Sequence, residues 1–339
     1  MKYLKLIVAL VGMMSLSALY ASAQEQQSLT IEVEEKVIPL KADFNALSVA
    51  NDFEVTLLQG DCNLKLIVDN NLIEYVRTDI EPATKTLKIS FDDKLVPKDV
   101  KKIYKEKNAP KPTFKVVVTM PDIAAISLSD NAVLNSEVEA FPSNIVRINI
   151  TDKARLGKLS VSGNSAFLGM TKNAQASNLV LAASERVEVS NDGNATITAF
   201  TAATSNLAVN AAGNAGISVK AESALSNVNL NGNAKLRFEA TCENVSAKAL
   251  GNAKITFTGA ISKSLLITGE KNGEFEADGL MVPDVVANLS GNSKAYVNPT
   301  GSLDVTLVGG STLLYGGTPV IKVGKILKST LAPKGTALK

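Results

Sequence analysis

Apolar and polar residues alternate with a period of two over most of this chain, and short, similar turns interrupt the alternation. A period of two belongs to a strand, whose successive side chains face opposite sides. The interruptions read SDNA, TDKA, TKNA, DGNA, AGNA, NGNA, LGNA, EKNG, SGNS and VGGS. Their third residues are Asn131, Lys153, Asn173, Asn194, Asn214, Asn233, Asn252, Asn272, Asn292 and Gly310. The widest step is 22 (131 to 153) and the narrowest 18 (292 to 310). A repeat of about twenty residues is in the range of solenoids.

Columns drawn around these anchors separate cleanly. Three residues after each stand Leu134, Leu156, Ala176, Ile197, Ile217, Leu236, Ile255, Phe275, Ala295 and Leu313. Five residues before each stand Ile126, Ile148, Leu168, Val189, Val209, Val228, Ala247, Ile267, Ala287 and Val305. Both columns are apolar throughout and are expected to face the core. The next column toward the anchor, from Ser127 through Asn210 and Asn229 to Thr306, contains no large apolar residue and is expected to face solvent.

Two architectures fit strands joined by such turns. A hairpin meander needs a tight turn at every strand junction, whereas here Gly-Asn signals come once per repeat and the other junctions ("ATCEN", "AISKS", "MVPDV") are irregular. A parallel β-helix needs one sharp corner per coil and stacks like residues on like, so it is the preferred reading. Gly at the corner permits positive φ, expected at Gly232 and Gly251, and Asn tolerates it better than most residues. The column Asn131, Asn173, Asn194, Asn214, Asn233, Asn252, Asn272 and Asn292 is therefore read as a structural ladder of stacked amides. The functional alternative is a ladder that binds sugar hydroxyls or anions. Calcium fits poorly, because these corners lack a recurring Asp.

The N-terminal third is less regular. SLTIEVEE, Phe44 to Gln59, LKLIV, TLKISF and FKVVVTM alternate as strands, and Asn51-Asp52 resembles a corner. The stretch Asp92 to Thr113 is Lys-rich and contains Pro97, Pro110 and Pro112. Val100, Ile103 and Tyr104 have helical spacing, so a short helix from about Pro97 to Lys107 is expected in a solvated excursion; a basic patch touching an anionic envelope polymer is the sharper alternative. The expected organisation is a signal peptide over 1–23, N-terminal coils over 24–128 with the basic insertion at 92–113, regular repeats over 129–318 and a tail over 319–339. The leader is read from Lys2 and Lys5, the apolar run Leu6 to Leu19 and the Ala21-Ser22-Ala23 cleavage site. No later apolar run reaches membrane-spanning length, so the mature chain is expected to be exported, to the periplasm or cell surface.

Composition narrows the chemistry. Among 339 residues there is no His and no Trp, and the formal net charge is +2. That balance gives no nucleic-acid signature. Without His, the commonest general base and metal ligand is missing, and Cys62 with Cys242 cannot build a zinc site. A hydrolase needs paired carboxylates, yet Glu188, Glu239, Glu270 and Glu276 stand at different offsets from the anchors. No catalytic residue, cofactor or metal is assigned. The two cysteines are expected to be unpaired: between the anchors at Asn131 and Asn233 lie five coil steps, an axial gap of about 24 Å or more, while a disulfide spans about 7 Å at most.

Three stretches together resemble a known family. FNALSVANDFEVTLLQG carries its pattern at Phe44, Leu47, Val49, Phe53, Val55, Leu57 and Gly60; the middle carries its small-residue turns; LDVTLVGGSTLLYGGTP carries Leu303, Gly309, Tyr315, Gly317 and Pro319. The chain is similar to the "putative auto-transporter adhesin, head GIN domain" proteins common in Bacteroidetes. The resemblance implies an all-β, right-handed parallel β-helix and no reaction. It differs from an autotransporter in having no C-terminal membrane barrel pattern. The resulting expectation is an exported, non-catalytic binding or adhesion module whose partner is a glycan or an envelope protein. A structural envelope scaffold and a β-helix polysaccharide lyase or hydrolase are the alternatives.

Overall fold

A computed structural model describes residues 30–336, and the corner column governs it. The residue before each anchor, from Asp130, Asp152 and Lys172 through Gly193, Gly213, Gly232, Gly251 and Lys271 to Gly291 and Gly309, has positive φ, between 57° and 86°. The next N–H then donates to the carbonyl of the same corner one coil back: Asn233 to Gly213 at 2.8 Å, Asn252 to Gly232 at 2.7 Å. The hydrogen-bond ladder thus runs through the bend and leaves no corner amide orphaned at these positions. The residue after the anchor is small and buried, as at Ala132, Ala154, Ala174, Ala195, Ala215, Ala234, Ala253, Ser293 and Ser311. The predicted leader, 1–23, lies outside the described residues.

The N-terminal strands are β1 (Val33–Val37), β2 (Ala46–Val49), β3 (Glu54–Gln59), β4 (Asn63–Asp69), β5 (Val76–Glu81) and β6 (Thr86–Phe91), followed by helix α1 (Lys98–Ile103), β7 (Phe114–Met120), β8 (Ala125–Leu128) and β9 (Val133–Ser136). They do not stack in chain order. The coil of β2 and β3 lies between two others: β2 pairs in parallel with both β6 and β8, and β3 with both β7 and β9. Beyond them the pairing turns antiparallel, β5 on β6, β4 on β7 and β1 on β4. One hairpin, β5–β6, and two longer-range antiparallel pairings therefore occur here, contrary to a purely sequential stack of coils. The Lys-rich excursion replaces the corner of the outermost coil. Its helix is shorter than expected because the Lys105–Lys107 turn supplies no apolar face. Val96 and Val100 are buried in the solenoid core, so the excursion closes the N-terminal end like a lid.

From there the coils are regular: β10 (Phe141–Ile150), β11 (Arg155–Leu156), β12 (Leu159–Met170), β13 (Gln175–Asn191), β14 (Thr196–Ala211), β15 (Gly216–Leu230), β16 (Lys235–Gly251), β17 (Lys254–Lys271), β18 (Glu274–Leu289) and β19 (Lys294–Val308). Each pairs in parallel with its successor from β12 onward, as in Leu236 with Ile255 and Phe238 with Phe257. The result is an all-β solenoid of about ten turns. Both predicted core columns are buried at every position, none more than 4% exposed. Phe238 and Phe257 stack edge to face with centroids 5.8 Å apart.

The Lys-rich C-terminal segment joins the stack. β20 (Thr312–Tyr315) pairs with β19, β21 (Val320–Leu327) also pairs with β19, and β22 (Thr330–Pro333) pairs with β20. No strand or helix among the described residues covers β21 and β22 on their other side. Ile321, Val323 and Ile326 continue the core columns of Leu303, Val305 and Leu307. Val323 and Ile326 are nevertheless 55% and 41% exposed.

Candidate functional site

The asparagine column forms a chain of side-chain hydrogen bonds along one edge. Each Nδ2 donates to the preceding Oδ1: Asn194 to Asn173 at 3.1 Å, Asn214 to Asn194, Asn233 to Asn214 and Asn252 to Asn233 at 3.0 Å each, Asn272 to Asn252 at 2.8 Å and Asn292 to Asn272 at 3.5 Å. Asn131 stands apart, beyond Lys153, and donates to Asp52 at 2.7 Å. An interior amide of this chain has one N–H and its oxygen already engaged, which leaves limited capacity for a ligand.

A long concavity lies about half a coil away from the asparagine corner. Ser162, Ala182, Ala203, Glu222, Thr241 and Ala260 stand in register on six successive coils. They form the floor of an open groove of about 790 Å³. Five coil steps make it about 24 Å long. Mostly short side chains leave the trough; Ser184, Ser205, Thr204 and Ser262 add hydroxyls along it, and Glu222 and Glu243 add carboxylates. Cys242 closes the floor from below, its Sγ within 3.3 Å of Ser223 Oγ and 3.5 Å of Ser226 Oγ. Cys62 sits far up the stack, where its thiol bonds to the Phe44 carbonyl at 3.3 Å. Both cysteines are free.

A second recess, about 600 Å³, opens on the flat face and is lined by Lys158, Lys220, Arg237, Glu239 and Val180 among others. Asn178 and Ala199 line it too, with φ of 50° and 54°. The pairing of β14 with β15 slips between Ile197 and Phe200. The slip accommodates an extra residue in the earlier coil as a bulge, and the bulge makes the recess. Unequal anchor spacing was its only trace in the sequence, and spacing does not say where in a coil the extra residue goes.

One ion cluster brings carboxylates to a lysine. Lys254 Nζ is 2.6 Å from Glu276 and 3.3 Å from Glu274, and Thr256 Oγ1 donates to Glu276 at 2.9 Å. The hydrogen bond to Glu276 raises the Lys254 pKa above its ordinary value against the opposing effect of burial. The same bond lowers Glu276, and Lys334 lowers Asp278. A general base lysine needs a depressed pKa and a general acid carboxyl a raised one. These shifts run the other way and are those of an ion pair. Among the described residues no group of three or more His, Cys, Asp or Glu side chains is placed to hold a metal. No helix among them is long and apolar enough to cross a membrane.

Stacked parallel coils with amide-lined corners define a β-solenoid. The family model described as "Putative auto-transporter adhesin, head GIN domain" matches residues 43–227 and 223–319, and the chain belongs to that family. Crystal structures to which the chain is similar include a "putative adhesin" from Parabacteroides merdae ATCC 43184, at 19% identity over 89% of this chain and 96% of that one, TM-score 0.36. A "putative adhesin" from Parabacteroides distasonis ATCC 8503 is similar at 19% identity over 89% and 97%, TM-score 0.37. A "Putative lipid binding protein" from the same strain is similar at 15% identity over 89% and 96%, TM-score 0.33. No curated protein matches the chain.

Proposed function

We propose that this chain is an exported, non-catalytic adhesion module that holds one extended external partner, a glycan strand or an envelope protein segment, along its axial groove. The observation that carries the reading is the groove itself, about 790 Å³, lined mainly by short hydroxyl and methyl side chains with Glu222 and Glu243 among them. A trough about 24 Å long suits a linear polymer better than a compact metabolite. Ser184, Thr204 and Ser205 already donate within the chain, so what these hydroxyls offer a partner is chiefly acceptor capacity. Membership of an adhesin-described family supports the same reading. The asparagine ladder is assigned to the fold, since its amides bond chiefly to one another.

The test is binding with the groove filled. Ala203→Tyr and Thr241→Tyr place rings on the outward floor without touching the core. Cell-envelope glycans and envelope protein extracts are captured on immobilised wild type and on each variant, and the bound fraction is identified chemically. Both variants are expected to lose capture while melting like the wild type. Undiminished capture by both would remove the groove from the binding role. Turnover of a captured polymer would overturn the non-catalytic assignment.

A further inference from the structure

The recess on the flat face begins where an extra residue stops. Lys158, Asn178 and Ala199 occupy the same place on three successive coils, each just before the paired residues Leu159, Leu179 and Phe200. In β15 that place is lost: two residues lie between Ile197 and Phe200, but only Ser218 lies between their partners Ile217 and Val219. The raised column therefore ends at Ala199, and the lining continues through Ser218 to Arg237, its partner on β16. Ala199 holds a left-handed φ of 54°, a strained position for alanine. At about 600 Å³ the recess is in the range that encloses a small ligand, about 300–1,000 Å³.

Charge on this face does not balance. Glu239 lies 3.6 Å from Lys220, and Lys254 holds Glu274 and Glu276. Lys158 and Arg237 form no ion pair among the described residues. With Lys220, the lining carries three cations against one carboxylate, Glu239. Asn178, Thr201, Ser218 and Thr258 add an amide and hydroxyls. The neighbouring groove has the opposite charge. Its positions Ala203 and Glu222 stand two residues beyond Thr201 and Lys220, and its charged lining is Glu222 and Glu243.

We propose that the recess is a second binding site, for a short acidic saccharide, with Arg237 and Lys220 holding carboxylate or sulfate groups at one end and Lys158 at the other. Lys158 lies three coil steps from Lys220 and four from Arg237, about 14 and 19 Å along the axis. Arg237 presents a planar fork that meets either oxyanion with two parallel hydrogen bonds. The amide and hydroxyls between the two ends suit sugar hydroxyls. A neutral saccharide forfeits the charged contacts, and a bare anion forfeits the middle ones. The site does not rest on the groove, whose glutamates turn an acidic ligand away.

The experiment is calorimetric titration of the purified chain in about 0.15 M salt, where attraction beyond about 8 Å is screened. The probes are a short oligogalacturonide, a sulfated oligosaccharide of similar length, an uncharged malto-oligosaccharide and inorganic sulfate. Both acidic saccharides are expected to bind, and the other two probes at least about tenfold more weakly. Whichever acidic probe binds more tightly names the oxyanion. Arg237→Gln and Lys158→Gln are each expected to weaken binding about tenfold, and Ser218→Tyr, which fills the recess, to abolish it. Lys235→Gln removes the same charge two residues from Arg237 and outside the recess, and is expected to bind like the wild type. The three charge variants are expected to melt like the wild type, because all three side chains are exposed. Absence of binding by both acidic saccharides overturns the proposal and leaves Lys158 and Arg237 as solvated surface cations. An equal loss in Lys235→Gln and Arg237→Gln overturns it as well, because the attraction would then be diffuse. Inorganic sulfate binding as tightly as the saccharides would make this a simple anion site and overturn the saccharide assignment.

Discussion

Gly232 offers the sharpest test of the corner. Its φ is 74°, and a Cβ built there would lie 2.9 Å from the Gly213 carbonyl oxygen and 3.3 Å from its nitrogen. Two costs add for a β-branched side chain. Holding a non-glycine L-residue at positive φ costs about 1–2 kcal/mol, and forcing atoms into a packed site costs about 1–3 kcal/mol. Gly232→Val should therefore destabilise by about 2–5 kcal/mol. Gly232→Asn should cost clearly less, because Asn tolerates this region and the same column already holds Asp130 and Asp152 at φ 57° and 62°. Urea midpoints of the two variants, measured side by side with the wild type, decide the matter. If Val costs no more than Asn, the corner does not hold its strained geometry in solution and the structural argument for the Gly-Asn series fails.

Phe257→Ala should cost about 3–5 kcal/mol, since Phe257 is 2% exposed; a loss under about 1 kcal/mol would put that column outside the core. Asn233→Ala breaks two links of the ladder, to Asn214 and from Asn252, and should destabilise by about 1 kcal/mol, with an unchanged urea midpoint counting against the ladder. Glu276 titrates below its ordinary 4.5, so its contribution is present above pH 4.5 and is lost as pH falls through the lower folded value. Lys254, raised above 10.5, contributes below that pH and loses its effect as pH rises through the higher folded value. Lys254→Met should accordingly flatten both limbs of the melting temperature against pH, and a profile identical to wild type would mean the cluster is not formed. Thiol titration should find both Cys62 and Cys242 free in denaturant without reductant, with the Cys242 thiol, 5% exposed, much the slower to react in the native state; recovery of a Cys62–Cys242 bridge by peptide mapping would contradict the stacking order.

Much of the fold was legible because the repeat encodes it many times over. The alternation in "NLNGNAKLRF" assigns Leu236 and Phe238 to the core without any knowledge of neighbours, and the Gly-Asn spacing assigns one corner to each coil. Asn191 shows where such reading falls short. It occupies a core column between Met170 and Ala211 and is 1% exposed, its Nδ2 bound to the Ala195 carbonyl at 3.1 Å. A polar residue at a core position looks like an outward one until the corner carbonyl it serves is in view. The groove was equally hidden, since Ser162, Ala182 and Ala203 become one floor only when their coils are stacked.

By itself the sequence determined which residues face in, where the chain bends, and that like stacks on like. Tertiary structure decided the order of the first coils, the lid formed by Val96 and Val100, and the unequal ends. The physical reason is that a period of two specifies a face and not a neighbour. β3, β7 and β9 carry the same alternation, so nothing local tells β3 to lie between the other two. That choice is made by long-range pairing, in which the stack closes one end with α1 and antiparallel strands and leaves β21 open at the other.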